Sequence, residues 1–216
     1  MSNTVRDISQ GAPVALDRQQ VVDEALRLLD DQGLDALSLR ALAGRLGVQA
    51  PTLYWHIGNK SELLDALADA IMDEAIQAIP EAGPAGSWEE WLLAVLVGFR
   101  GTMLRHRDGA RTISGARTSL RRGDFSELAM STLAARGVEP QRARLLVLAA
   151  ERFTFGYVLE EQAPTDDTRQ VPDIDELQRR FPVMTQAIGS YFATGRTVDD
   201  LYRDIARLIL DLPSQI

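Results

Sequence analysis

Apolar residues recur at three- and four-residue spacing along almost the whole chain, and this spacing most constrains what the chain can fold into. It predicts amphipathic helices, whereas no segment shows the strict apolar–polar alternation of a half-buried strand. A chain of 216 residues is long enough for one large domain, or for a small domain followed by a larger one. We therefore expect an all-α protein of about ten helices.

The first four predicted helices form a small N-terminal bundle and are separated by glycines. They are predicted over residues 17–32, 38–46, 49–56 and 60–79. A linker rich in Pro and Gly follows, and further helices are predicted over residues 88–107, 110–115, 124–136, 141–162, 173–194 and 197–212. The expected organisation is a flexible arm over residues 1–16, a small domain over residues 17–64 and a larger helical domain over residues 65–216.

Composition excludes several classes of function. The chain has no Cys and only two His, which excludes a disulfide framework, a thiolate zinc site and a histidine metal cluster, so we expect no metal site and no cofactor. No run of about 18 apolar residues is present, and the N-terminus lacks the apolar core of a signal peptide, so we expect a cytoplasmic protein without a membrane partner. The net charge of −8 argues against non-specific coating of nucleic acid.

Residues 38–60 have the spacing of a helix-turn-helix, with two short helices joined by a tight glycine turn. No Asp or Glu occurs between residues 36 and 61, whereas Arg40, Arg45 and Lys60 do. An acidic chain thus carries one acid-free stretch at this motif, where phosphate groups would be tolerated. This favours specific binding of double-stranded DNA.

The second helix of such a motif enters the major groove. Arg40 can read guanine, Thr52 can contact a thymine methyl group, and Lys60 suits a phosphate near a helix N-terminus. The predicted DNA-binding residues are Arg40, Gln49, Pro51, Thr52, Tyr54, His56 and Lys60. Tyr54 and His56 have the alternative of being ordinary surface residues, and size and spacing predict that Leu42, Leu53 and Trp55 belong to the core.

These motifs resemble the DNA-binding domain of the TetR family of bacterial repressors. The resemblance rests on LRALA at residues 39–43, LGV at residues 46–48, PTLYWH at residues 51–56 and NK at residues 59–60. It implies a homodimer whose last long helices form a four-helix bundle, with a pocket for a small-molecule effector in each subunit.

The C-terminal half resembles the regulatory domain of the family's tetracycline-responsive branch, through HRDGA at residues 106–110 and the segment 153–162. The resemblance implies that the effector pocket includes Phe99, Ile113, Ala116, Arg117, Val147, Arg152, Phe155 and Glu160. Family members that bind tetracycline with Mg²⁺ have histidines where this chain has Ile113 and Arg152, and a threonine at Ala116. A single carboxylate at Glu160 without an imidazole is a poor magnesium site, so we expect a different effector.

Alternatives remain at the pocket residues and for the function. The apolar pocket residues can be ordinary core, and Arg152 and Glu160, eight residues apart on one helix, can form a structural ion pair instead of a ligand anchor. A catalytic triad of His106, Asp108 and a nearby serine lacks an oxyanion loop, so we expect no enzyme. We expect a repressor that binds a palindromic operator and releases it when a small-molecule effector binds. The alternatives are an activator on the same fold, or a small-molecule-binding or scaffold protein with vestigial DNA binding.

Overall fold

The computed structural model describes residues 16–81, 86–116, 118–164 and 173–211, and every regular element in these ranges is a helix. This part of the chain forms eleven helices: α1 (Arg18–Gln32), α2 (Leu39–Leu46), α3 (Ala50–Leu53), α4 (Lys60–Gln77), α5 (Trp88–Arg105), α6 (Gly109–Gly115), α7 (Arg121–Ala135), α8 (Pro140–Glu161), α9 (Ile174–Arg180), α10 (Pro182–Ala193) and α11 (Val198–Ile209). The all-α prediction is confirmed. None of these eleven helices combines the length and the apolar character that crossing a membrane requires.

Short polar side chains begin the helices of the N-terminal bundle. Asp17 accepts a hydrogen bond from the backbone N–H of Gln20 at 2.8 Å, and the Gln20 side chain accepts from the Asp17 N–H at 3.0 Å. At the start of α4, Asn59 accepts from the N–H of Glu62 at 2.9 Å. These bonds satisfy donors that the first turn of a helix leaves free, which is why the predicted starts agree with the structure.

One predicted helix is wrong, because the segment predicted as one helix over residues 173–194 forms both α9 and α10. The break lies at Phe181, whose backbone (φ −132, ψ 58) is not helical. Pro182 disfavours helical backbone at the residue before it, and it has no N–H to continue the hydrogen-bond ladder of α9. The proline instead begins α10.

Two hydrophobic cores fill the molecule, and α4 contributes to both. Its first half packs Leu63 and Leu67 into the core shared with α1, α2 and α3. Its second half packs Ile71 and Met72 into a larger core with α5 to α8 and α11. Because one continuous helix belongs to both cores, α4 is a direct structural link between them.

Candidate DNA-binding surface and regulatory core

The turn between α2 and α3 sets the orientation of α3. Ser38 caps α2 by accepting from the Ala41 N–H at 3.2 Å, and α2 ends at Gly47, whose φ of 66 is in the left-handed region. Such a backbone suits glycine, and it reverses the chain within a few residues. Leu42 of α2 and Leu53 of α3 are fully buried against α1 and α4. The two short helices therefore pack as a helix-turn-helix, and α3 keeps its outer side toward solvent.

The predicted DNA-binding residues are largely exposed to solvent along α2, α3 and the start of α4. His56 is half-buried, and the others are exposed: Arg40, Gln49, Pro51, Thr52, Tyr54 and Lys60. Within the part of the chain that the structure describes, no hydrogen bond or ion pair engages the side chains of Arg40, Thr52, Tyr54 or Lys60. We call this set of seven residues, with Trp55, the recognition surface. Its donors are free to bind an external partner.

Trp55 is on the surface, and the prediction that it belongs to the core is wrong. Its side chain is 88% exposed, whereas Leu53 and Ile57 on either side are fully buried. Leu53 and Ile57 are four residues apart and share one face of this helical segment, so a residue midway between them points away from that face. Spacing would have identified Trp55 as exposed, but the size of the side chain favoured the opposite assignment.

The number of arginines near the recognition surface overstates the positive charge that is available to bind phosphate. Arg45 is held by Glu24 and Asp31, each at 2.6 Å, and hydrogen bonds to Asp31 and Glu24 raise its pKa. Arg45 is therefore engaged on the α1 side. Glu62, which directly follows the acid-free stretch, accepts from the Gly58 N–H at 2.9 Å and pairs with Arg18 at 3.3 Å. Arg40 and Lys60 are the cations left to attract phosphate.

A second group of polar residues joins the helix-turn-helix to the turn between α5 and α6. Asp108 Oδ2 accepts from the backbone N–H of Leu34 at 2.8 Å, and Asp108 Oδ1 accepts from Arg111 at 2.9 Å. Partial burial acts to raise the pKa of Asp108, but the hydrogen bonds from Leu34 and Arg111 outweigh it and hold the pKa below its ordinary value. Gly33 has a φ of 81, which favours glycine, and a Cβ there would also lie 3.0 Å from Asp108 Oδ2.

His106 extends this contact to α4. Its ring is 7% exposed, with Nδ1 3.2 Å from the carboxylate of Asp30 on α1 and Nε2 3.2 Å from Glu74 Oε1 on α4. Gln162, at the end of α8, donates from Nε2 to the carbonyl oxygens of Met103 (2.9 Å) and His106 (2.8 Å). We define the domain junction as Asp30, Gly33, Leu34, Glu74, His106, Asp108, Arg111 and Gln162. It connects α1, α4, α5, α6 and α8.

The apolar residues predicted for the effector pocket are packed into the larger core. Phe99, Ile113, Val147 and Phe155 are buried, and the rings of Phe99 and Phe155 meet edge to face with centroids 5.2 Å apart. Ala116 is half-buried, and Arg117 lies outside the described residues. The four residues thus share one cluster, where they fill space with their own side chains.

The polar residues predicted for the pocket lie elsewhere. Arg152 and Glu160 are both exposed on α8, and in the described residues they do not form the ion pair that was the alternative to a ligand anchor. In the described ranges, the ion pairs of α8 are made by Glu151 and Glu161. The next residue along a helix is rotated by about 100 degrees, so acids beside the predicted positions face inward.

Arg100 of α5 is a buried charge that is absent from the predicted site residues. Its side chain makes a two-pronged contact with Glu161, including 2.9 Å from Nε, and a 2.8 Å bond to Asp199. Hydrogen bonds to Glu161 and Asp199 raise its pKa despite burial, and the guanidinium lies 4.9 Å from the ring centre of Tyr202. The partners are 61 and 99 residues away in sequence, so no local pattern indicates them.

Comparison with known proteins gives the family. Residues 21–67 match the family described as bacterial regulatory proteins, tetR family, and residues 79–211 match the tetracyclin repressor-like C-terminal domain. Tetracycline repressor protein class D from Escherichia coli is 39% identical over 151 residues, which are 69% of this chain and 68% of that protein.

Two solved structures have the same fold. A variant of TetR from Acinetobacter baumannii AYE in complex with minocycline is 36% identical, with a TM-score of 0.62, covering 84% of this chain and 99% of that chain. BioQ with its double-stranded DNA operator is 28% identical, with a TM-score of 0.59, covering 81% and 97%. The family's regulators are not enzymes, as expected for this chain. The chain therefore belongs to the TetR family of bacterial transcriptional regulators, with a C-terminal domain of the tetracycline-repressor-like type.

Proposed function

We propose that this regulator is a repressor that binds a palindromic operator as a homodimer and is released by a small molecule. The observation that carries the proposal is the recognition surface, where exposed donors without intramolecular partners lie in a stretch free of carboxylates. Phosphate contacts position such a motif, and contacts to base edges give it specificity. The relative solved with its DNA operator supports the same use of this fold.

The surface of α10 supports a dimer. Four large apolar side chains on this helix are exposed: Val183, Met184, Ile188 and Phe192. Contiguous exposed apolar surface of this kind marks an interaction site. A two-fold axis through a dimer would present two recognition surfaces to major grooves about 34–36 Å apart.

Ligand release requires that the regulatory helices act on the helix-turn-helix, and two connections support this. With the domain boundary at residue 64, as we predict, α4 begins in the DNA-binding domain and continues into the regulatory domain. The domain junction provides the second connection, because His106 contacts Asp30 of α1 and Asp108 accepts from Leu34 in the loop that follows α1. A ligand that prefers a different arrangement of α6 would shift both connections and weaken DNA binding.

We propose that tetracycline with Mg²⁺ is not the effector of this protein. Ile113 is a buried apolar side chain without a ligand atom, and Arg152 is an exposed cation, so neither fits a magnesium ion. Glu160 is exposed on the outside of α8. Tetracycline with Mg²⁺ should leave the operator complex of this protein intact, and release by that drug would contradict the proposal.

Footprinting of the purified protein on the DNA next to its own gene tests the proposal. We expect protection of a palindrome, with an affinity that falls steeply as salt rises because phosphate contacts release counterions. Tyr54→Ala should lose protection, and Tyr54→Phe, which keeps the ring, separates the hydroxyl group from the aromatic contact. Arg27→Ala removes an exposed cation of α1 that lies outside the acid-free stretch; it is the control and should bind as the wild type does. Absence of a protected site at any salt concentration would favour a ligand-binding or scaffold protein instead.

A further inference from the structure

Glu151 is a carboxylate buried between α7 and α8, one position before the exposed Arg152. It is 3% exposed, and Ser126 Oγ of α7 donates to its Oε1. Its other oxygen, Oε2, lies 3.5 Å from Nε of Arg122, beyond the usual length of a charge-assisted hydrogen bond. A buried carboxylate with such a long contact to its cation is costly unless a better partner completes the site.

Arg122 reaches this carboxylate from the outside of the molecule. Its side chain is 39% exposed, and its guanidinium carbon lies 4.5 Å from the ring centre of Phe155. An aromatic face and a carboxylate are the two groups by which proteins hold organic cations. Phe155 rests on Phe99, and Phe99 lies 4.7 Å from Phe125, so an aromatic cluster continues inward from the site.

We propose that Glu151, Ser126 and Phe155 form a cation subsite of the effector pocket, which Arg122 occupies when no effector is bound. The effector would then carry an amidinium, guanidinium or ammonium group on an aromatic or apolar body. The cation would replace the guanidinium of Arg122 beside Glu151, and the body would pack on the face of the Phe155 ring that Arg122 covers. This inference rests on the effector-responsive function proposed above and names the class of effector.

The segment that leads into α7 connects this subsite to α4, the helix that begins in the DNA-binding domain. Ser119 donates to Asp69 of α4 at 2.5 Å, Thr118 donates to Asp65 of α4, and Arg121 pairs with Asp73 of α4 at 3.0 Å. Arg122 follows directly in the first turn of α7. Displacement of Arg122 by an effector would therefore act at the point where α7 is attached to α4.

Benzamidine is a suitable probe because its amidinium group reproduces the guanidinium of Arg122 on a flat aromatic ring. Its binding to the full-length protein without DNA is measured by calorimetry, with benzoate as the anion of similar size. We expect Arg122→Ala to bind benzamidine about tenfold more tightly than the wild type, since no side chain has to be displaced. Arg121→Ala removes the same charge one residue away, and it should bind as the wild type does.

The second half of the test removes the carboxylate. In the Arg122→Ala background, Glu151→Gln should reverse the gain, whereas Glu127→Gln, an exposed acid on α7, should preserve it. Phe155→Leu gives an independent loss if Glu151→Gln fails to fold. Equal affinities for Arg122→Ala and Arg121→Ala, or equal binding of benzoate, would overturn the cation subsite. Because DNA is absent, that failure is separate from a missing operator footprint, which would overturn the proposed function.

Discussion

The recognition surface and the domain junction are both polar, but they use their polar groups in opposite ways. Arg40, Thr52 and Tyr54 are exposed, and within the described residues their side chains bond to nothing. In contrast, His106 contacts two groups contributed by other elements, and Gln162 contacts three. Side chains without internal partners can be changed with little effect on folding, so they are suited to binding. Partnered side chains carry stability, and in the function that we propose they would transmit movement between the domains.

Leu53 and Trp55 give the largest contrast between packing and recognition, although they are two residues apart. Leu53→Ala should lower the free energy of unfolding by about 2–5 kcal/mol, because it leaves a cavity in the smaller core. Trp55→Ala should change it by less than about 0.5 kcal/mol, since the ring is exposed. Chemical denaturation measures both values. Comparable losses would mean that Trp55 packs into the core in solution.

Asp108 tests the junction. Asp108→Ala removes the acceptor of the Leu34 N–H and should cost about 1–3 kcal/mol of unfolding free energy. Asp108 also has a left-handed backbone (φ 59), which Asn adopts more readily than Ala. Asp108→Asn keeps a side-chain oxygen and this backbone, so thermal unfolding should place it between Ala and the wild type. If all three proteins unfold alike, the contact with Leu34 does not hold the junction together.

Arg40 and Arg45 both lie on α2, but Arg40 belongs to the recognition surface, whereas Arg45 is held by partners within the molecule. Arg40→Ala should weaken operator binding by about 1–3 kcal/mol if the side chain reads a base, and it should leave the melting temperature unchanged. Arg45→Ala breaks the contacts with Glu24 and Asp31, so it should lower the melting temperature slightly and affect DNA binding less. Fluorescence anisotropy and thermal unfolding separate the two effects, and an exchange of these roles would contradict the assignment.

The carboxylates of Glu151 and Asp108 predict opposite dependence of stability on pH. Burial raises the pKa of Glu151 above its ordinary 4.5 despite the bond from Ser126, so the folded state binds this proton more tightly than the unfolded state. The wild type should therefore lose stability relative to Glu151→Gln as pH rises from 4.5 through the raised value. The pKa of Asp108 is lowered, so its contribution is present above the unfolded value and is lost as pH falls through the folded one. Denaturation across this pH range checks both signs.

The sequence was sufficient where structure depends on near neighbours. Asp17, Ser38 and Asn59 cap helices through bonds to residues three positions away, and Gly47 forms the turn on its own. The recognition surface lies on one segment, residues 40–60, so its exposed residues other than Trp55 follow from the local pattern, and their role in DNA binding stays a prediction. Pro182 is a local signal of the same kind, and it marks the break between α9 and α10 that the predicted single helix over residues 173–194 lacks.

The regulatory core was less predictable because its polar contacts join distant parts of the chain. Arg100 and Glu161 are 61 residues apart, and Glu151 accepts a hydrogen bond from Ser126 of the preceding helix. On a helix that is apolar around most of its circumference, the pattern does not decide whether Glu151 or Arg152 faces inward. The packing of α7 and α5 against α8 makes that choice.

The salt dependence of operator binding, measured beside the free energy of unfolding, tests the central distinction most directly. The variants are Lys60→Ala in the recognition surface and Asp108→Ala in the junction, with the operator identified by footprinting. We expect Lys60→Ala to reduce the slope of log affinity against log salt by about one and to leave unfolding unchanged. Asp108→Ala should lower the free energy of unfolding and keep the slope. A destabilised Lys60→Ala with an unaltered slope would contradict the account, because Lys60 would then support the fold instead of binding phosphate.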